Sequence, residues 1–292
     1  KMLPESEGSS GSENAQKLIG MLKDLPGKIP EIVELEAGMT LSAVNEYLFH
    51  LGRALENLGD IAYQTVAGAI STSTHGTGKA LTGLAGQVVA MKLVNGHGEI
   101  IECSQSVNPH IFDVARVSVG ALGVITEYTL QAVPSFRLRA LEQPMRLDDV
   151  LENAHDLAST NDHFEFFWIP HTKWALTKRN NRTEDELQPL PRVTGWIEKT
   201  FMENYAFGAL CRVGRARPSL IPRLATALPS SGSREYVDQS FKIFASPRIV
   251  RFYEMEHALP VDALVPALKE IRAMVDRKGY LLNFPVEVRF TK

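Results

Sequence analysis

The stretch TVAGAISTSTHGTG (65–78) holds three glycines, two alanines and six Ser/Thr around one histidine. Such residues bury little apolar area, and glycine loses more backbone freedom on folding than any other residue. A chain gathers them where its backbone must run close against something. Runs of Ser, Thr and Gly also offer free N–H and O–H donors, which suit a phosphate or a polar heterocycle. The spacing is not that of a phosphate loop, GxxxxGK followed by Ser or Thr, nor that of the GxGxxG dinucleotide fingerprint after a strand. The residues alone leave two readings open. One is a loop and short helix pressed against a cofactor; the other is tight packing against the chain itself.

The flanking pattern is that of an α+β chain. IVELEAG (32–38) alternates as a strand. TLSAVNEYLFHLG (40–52) predicts a helix with Thr40 as N-cap, Leu41, Val44, Leu48 and Leu51 on one face, and Gly52 just past the end. QVVAMKLVNGHGEIIECS (87–104) reads as a hairpin through Asn95-Gly96-His97-Gly98. NPHIFDVARVS (108–118) reads as a helix with Pro109 in its first turn, and GVITEYTLQAVP (123–134) as a strand. Past Pro134 the pattern changes. HFEFFWIP (163–170) predicts an aromatic strand, and RIVRFYEMEHALP (248–260) a longer strand with Glu254 and Glu256 on one face. DALVPALKEIRAMVDRKG (262–279) predicts an amphipathic helix through Leu264, Leu268, Ile271 and Val275, with Pro266 tolerable only near its first turn. FPVEVRF (284–290) predicts a last strand. A boundary near 134–140 gives two α+β units, 32–134 and 135–292. Residues 1–31 stand apart: PESEGSSGSEN (4–14) is linker-like, and AQKLIGMLKDL (15–25) suits a short helix.

The bulk numbers exclude more than they assign. A net charge of −3 over 292 residues gives no reason to expect a nucleic-acid partner. The basic clusters TKRNNR (177–182) and RVGRARP (212–218) read as solvated loops and helix ends. Cys103 and Cys211 lie far apart, form no CxxC and fit a reducing, cytoplasmic compartment better than a disulfide. No His/Cys cluster has zinc spacing, so no metal site is expected. No apolar run approaches the ~18 residues of a membrane span, and no signal peptide is recognisable.

NLGDIAYQTVAGAISTSTHGTG (57–78) resembles the second flavin-contacting segment of the vanillyl-alcohol-oxidase-type FAD enzymes. Within these it is similar to the sugar-1,4-lactone oxidases, the gulonolactone and arabinonolactone oxidase group, with alditol oxidases as relatives. VVAMKLVNGHGEIIECS (88–104), RVSVGALGVITEYTL (116–130), NDHFEFFWIPHT (161–172) and FPVEVRF (284–290) continue the likeness in the same order. The resemblance implies the C-terminal part of a two-subdomain, PCMH-type FAD-binding domain over 32–134, and an incomplete α+β substrate (cap) domain over 135–292. It implies FAD as cofactor. Thr65, Gly68, Ala69, Ile70, Ser73, Thr74, His75 and Gly76 fall where the family touches the flavin and its pyrophosphate. Many members carry glycine at the position of Ser73. Gly123 and Ile125 fall where backbone groups meet the adenosine half. His75 is read as holding its own loop or touching the cofactor, and not as a catalytic base.

Glu287 and Arg289 in EVR share one face of a strand, as i and i+2 must. The residues alone favour an exposed ion pair worth little. In the resembling family an E-x-R pair lines the substrate site, which makes Glu287 and Arg289 the catalytic candidates. Glu287 would accept hydrogen bonds from sugar hydroxyls and orient the reacting C–H. Arg289 would bind the substrate oxygen and favour negative charge on it.

Two parts of the family pattern have no counterpart here. Nothing in residues 1–56 resembles the Gly-rich loop carrying GHS, and no HWGK-like segment follows the E-x-R strand. The resemblance therefore predicts a fragment of a longer enzyme or a chain that has lost those parts. The expected reaction is FAD-dependent oxidation of a D-arabinono- or L-gulono-1,4-lactone at a secondary alcohol carbon, with oxygen or another acceptor taking the electrons. An alditol or polyol oxidase, or a non-catalytic fragment that no longer holds FAD, is the alternative. Peripheral membrane association is a further expectation.

Overall fold

The computed structural model describes residues 32–228 and 232–292. The linker and helix expected within residues 1–31 lie outside the described residues.

The first unit is an antiparallel sheet with helices on one face. Along the chain run β1 (Ile32–Glu36), α1 (Leu41–His50), β2 (Arg53–Ala54), α2 (Val66–Ser71), β3 (Val88–Val94), β4 (Ile100–Ser104), α3 (Pro109–Ala115), β5 (Val124–Gln131) and β6 (Val133–Pro134). The sheet order is β1-β5-β3-β4, and β2 pairs with β6 separately. Alternation puts Leu35, Met91, Tyr128 and Leu130 on the covered face, against Leu41, Val44 and Leu48 of α1 and Phe112 of α3. The α1 boundaries follow their sequence signals. Thr40 Oγ1 accepts from Ala43 N at 3.3 Å, and Gly52 takes φ +67°, the left-handed conformation that ends a helix with least strain.

The second unit is a five-stranded antiparallel sheet in the order β10-β7-β9-β8-β11. Its elements are β7 (Arg137–Arg146), α4 (Leu147–Glu152), α5 (Ala154–Thr160), β8 (His163–Trp168), β9 (Trp174–Thr183), β10 (Arg234–Gln239), α6 (Leu264–Lys278) and β11 (Val286–Arg289). A helical run over 192–216 and a short helix, Ser240–Phe244, lie outside the sheet. Phe164, Phe166 and Trp168 of β8 face α4, α5 and α6, where Val150, Ala154 and Leu268 are buried with them. Period-two alternation then turns Glu165 of β8, and Glu287 and Arg289 of β11, to the opposite face. Leu138, Ala140 and Tyr236 from that face join the core of the first unit. The charged face of the second sheet is therefore the one that meets the first unit.

Two expectations are corrected. The segment 248–260 forms no strand; side chains and single carbonyls hold its approach instead of a ladder. Ser246 N donates to Asp60 O at 3.0 Å and Ile249 N to Asn204 Oδ1 at 2.7 Å. Arg248 is drawn to Asp60 and Glu203, and Phe252 stacks on Phe284 with ring centres 4.3 Å apart. The cluster at 177–182 is not a solvated loop either. It lies inside β9, with Asn180 buried and Lys178 mostly so, because its partners are acids on neighbouring strands. Both cysteines are free thiols; Cys103 is buried and Cys211 half-buried.

Candidate functional site

The opening stretch divides into two halves. In the first, Thr65 caps α2 by accepting from Gly68 N at 3.1 Å. Val66, Ala69 and Ile70 turn into the core, while Thr65, Gly68 and Ser73 remain exposed. Ser73 takes φ +61°, a left-handed conformation that costs a non-glycine residue about 1 kcal/mol. Its neighbour Thr74 is fixed by N–H donation to Ala69 O at 2.8 Å and by Gln64 Nε2 donating to its hydroxyl at 3.3 Å.

The second half is packed against the chain itself. A Cβ at Gly76 would sit 2.1 Å from Leu58 O and 2.6 Å from Asn57 Oδ1. One at Gly78 would sit 2.8 Å from Asp162 O, and φ there is +142°. Thr77 joins both β8 and β11: its hydroxyl donates to Phe164 O and accepts from Phe290 N at 3.2 Å. Gly78 N donates to Phe290 O at 2.6 Å. His163 Nδ1 donates to Thr77 O at 2.8 Å. Gly123, read as a cofactor residue, is likewise explained by packing, since a Cβ would meet Val94 O at 2.2 Å. Ile125 packs against the first core.

His75 sits at the junction of the halves. Its Nδ1 donates to Gly76 O at 2.8 Å, and its Nε2 meets Glu256 Oε1 at 2.6 Å. Its backbone carbonyl accepts from Arg289 Nη1 at 3.1 Å. That bond brings His75 and the Glu287/Arg289 pair, 214 residues apart, into one place.

Arg289 is the hub. Its Nε bonds Glu287 Oε1 and lies 3.6 Å from Glu165 Oε2; its Nη2 is 3.5 Å from Asp60 Oδ2. Lys178 Nζ stands 3.4 Å from Glu165, and Arg248 Nη2 stands 3.1 Å from Asp60. Burial would raise the Asp60 carboxyl, but the charges of Lys178, Arg289 and Arg248 outweigh it and hold the group below its ordinary range. Burial, then the charge of Asp60, push Glu165 up to about 7. Burial also raises Glu287, which lies at the rim with 33% of its side chain exposed. Behind Glu165 lies a polar cavity of about 20 Å³, lined by Thr77, Glu142, Lys178 and Tyr236 among others.

Asp60, Glu165, Lys178 and Arg248 were not singled out from the sequence. The usable signal was a charged residue at an inward position of each buried strand: Glu165 amid HFEFFW and Lys178 within β9. Of the cofactor candidates in the stretch, Thr65, Gly68 and Ser73 are exposed, Thr74 and His75 half-buried, and Ala69, Ile70 and Gly76 buried. The loop before β5 joins the stretch through Val119 N, which donates to Ser71 O at 3.3 Å.

The D-arabinono-1,4-lactone oxidase family matches residues 128–292, and an FAD-binding domain matches residues 24–104. The L-gulono-1,4-lactone dehydrogenase of Mycobacterium tuberculosis is 38% identical over 261 residues, covering 89% of this chain and 60% of its own length. The L-gulonolactone oxidase of Scyliorhinus torazame is 34% identical, covering 89% of this chain and 59% of its own. This chain thus spans about 60% of the length of these relatives. In fold, it is similar to a solvent-stable cholesterol oxidase, with a TM-score of 0.69 at 18% identity over 88% of this chain and 56% of that one. On residues 128–292 the chain belongs to the D-arabinono-1,4-lactone oxidase family.

Proposed function

We propose that the chain works in the FAD-dependent oxidation of a sugar-1,4-lactone, of the D-arabinono- or L-gulono-1,4-lactone type, at a secondary alcohol carbon. The observation that carries this reading is the 3.1 Å bond from Arg289 to the His75 carbonyl, which sets the E-x-R strand beside the small-residue stretch. The names of the relatives support the substrate class. The residues present fit one wall for FAD. A Cβ at Gly68 would meet only the Thr65 hydroxyl, at 3.0 Å, so the backbone there is open to close approach. When bound, FAD supplies the ring nitrogen N5 that accepts the hydride.

The division of labour follows the two units. Thr65, Gly68, Ser73, Thr74, His75 and Gly76 would hold the flavin and its pyrophosphate. Ala69 and Ile70 have buried side chains and would contribute backbone. Gly123 and Ile125 would offer backbone groups to the adenosine half. Glu287, at the rim, accepts hydrogen bonds from the sugar hydroxyls and aims the reacting C–H. Arg289, held by Asp60, Glu165 and the His75 carbonyl, binds the substrate oxygen and favours the charge that develops on it. Orientation at close contact supplies much of the rate in such a transfer. Oxygen or another electron acceptor would take up the electrons. Among the described residues no helix is long and apolar enough to cross a membrane.

The test is anaerobic. The protein is incubated with FAD, freed of excess and mixed with L-gulono-1,4-lactone, D-arabinono-1,4-lactone or an alditol while the yellow flavin band is followed. Retained flavin bleached by a lactone is the expected result. Bleaching by the alditol alone moves the substrate class to polyols. No retained flavin overturns the reading.

A further inference from the structure

Beneath the Glu287/Arg289 pair three carboxyl groups from distant parts of the chain crowd together. Asp60 follows β2, Glu165 lies on β8 and Glu287 on β11, and one oxygen of each lies within 4.8 Å of the others. The charged groups facing them come from every element packed there. Arg289 projects from β11, Lys178 from β9 and Arg248 from the segment after the short helix Ser240–Phe244. Glu142 of β7 stands beyond Lys178, with Arg234 of β10 paired to it. His75 offers its carbonyl to Arg289 and pairs its ring with Glu256. The cations are shared, since Arg248 also binds Glu203 at 3.2 Å.

Carboxylates this close repel, and the most deeply buried one bears most of the cost. That one is Glu165, 5% exposed, against a rim position for Glu287. The three carboxyls are therefore electrostatically linked, and burial with the charge of Asp60 pushes Glu165 up to about 7. Glu165 also lines the 20 Å³ cavity, whose other polar walls include Thr77, Glu142 and Tyr236. That volume is enough for about one water molecule.

We propose that Glu165 is a positioning residue that holds the proton of this carboxyl trio, so that a proton released at Glu287 passes inward to Glu165. The proposal rests on the oxidation reading above. In that reaction the C–H electron pair leaves as hydride to oxidised FAD, the two-electron acceptor. The O–H bond breaks, its electron pair forms the C=O bond, and its proton protonates a carboxylate of the trio. Glu165 does not touch the substrate; it acts through Glu287 and Asp60. Uptake requires Glu165 to be ionised, so flavin reduction rises with pH as Glu165 loses its proton.

The test has two arms. Flavin-free protein labelled with carbon-13 at its Asp and Glu carboxyls is titrated by NMR. The wild type is expected to show one carboxyl with a midpoint near 7, absent in Glu165→Gln and moved at least one pH unit lower in Asp60→Asn. The second variant keeps the test open if the first fails to fold. No carboxyl titrating near neutrality, or one that persists in Glu165→Gln, overturns the proposal. In the second arm the pH profile of anaerobic flavin reduction is measured on FAD-loaded protein. In Glu165→Gln the rise near 7 is expected to be lost and the rate at higher pH to fall at least tenfold, with both restored in Glu165→Asp; an unchanged profile overturns the proton-holding role. Failure of every lactone and alditol to reduce wild-type flavin falls on the oxidation reading, and the first arm still decides whether Glu165 titrates near neutrality.

Discussion

Gly68 and Gly76 belong to one run of small residues, yet they are small for different reasons. A Cβ at Gly68 would meet only the hydroxyl of its own helix cap, at 3.0 Å. A Cβ at Gly76 would be driven to within 2.1 Å of the Leu58 carbonyl. The first half of the run leaves a surface bare, and the second half lets two backbones of the same chain close on each other. Of the two readings that the residues alone left open, packing against the chain itself accounts for the second half, and the bare first half is where the proposed flavin contact would lie. The seam between them is His75, whose carbonyl receives Arg289.

Substitutions along the run should reproduce this division. The largest effect is expected at Gly76→Ala. Its Cβ would strike backbone that cannot swing aside, so the loss should exceed the ~1–3 kcal/mol of ordinary overpacking and show as loss of a cooperative thermal transition. A stable Gly76→Ala protein would mean that the backbone at Gly76 does not press against the Leu58 carbonyl as described.

A somewhat smaller effect concerns the acids behind Arg289. Burial, then Asp60, raise Glu165 from 4.5 to about 7, so its contribution to stability is fully present below 4.5 and is lost as pH rises through about 7. Asp60 has the opposite sign: its lowered carboxyl contributes stability that is lost as pH falls below its ordinary 3.8. Urea unfolding of Glu165→Gln should thus show a flatter dependence between these Glu165 limits, with a difference from wild type on the order of 3 kcal/mol across the window. Parallel curves for the two proteins would place the neutral titration elsewhere.

At Gly68→Ala, helix propensity adds up to ~1 kcal/mol while the Thr65 cap must shift, so stability should stay within about 1 kcal/mol of wild type. FAD affinity should nevertheless fall, as read by flavin fluorescence; unchanged affinity would show that this backbone does not approach the cofactor. The smallest effect is expected at Ser73→Gly. Relief of the φ +61° conformation offsets the entropy of glycine, giving a gain below ~1 kcal/mol in thermal unfolding. A clear loss would mean that the serine hydroxyl has a structural partner.

Local order was legible in the sequence wherever it depends on neighbours along the chain. Thr40 and Gly52 marked the ends of α1, the 87–104 hairpin formed through Asn95–Gly98, and EVR placed two side chains on one face of β11. Order that depends on distant partners was not. RIVRFYEMEHALP alternates as a strand should, but a strand needs a neighbour, and its charges are claimed by Asp60, Glu203 and His75. TKRNNR looked like a solvated surface because the acids that take up Lys178 lie on β8 and in the loop before α2. The candidate site was half visible for the same reason. Glu287 and Arg289 came from a short motif, whereas Asp60 and Glu165 join them only through the sheet and its docking on the first unit.

The central claim is that the bare surface and the E-x-R strand serve one reaction, the first by holding flavin and the second by holding substrate. Its most direct test is anaerobic stopped-flow reduction of FAD-loaded Glu287→Gln by a sugar-1,4-lactone. The account predicts that flavin stays bound while its reduction slows roughly 10²-fold or more. Loss of flavin with an unchanged rate of reduction per bound flavin would contradict it.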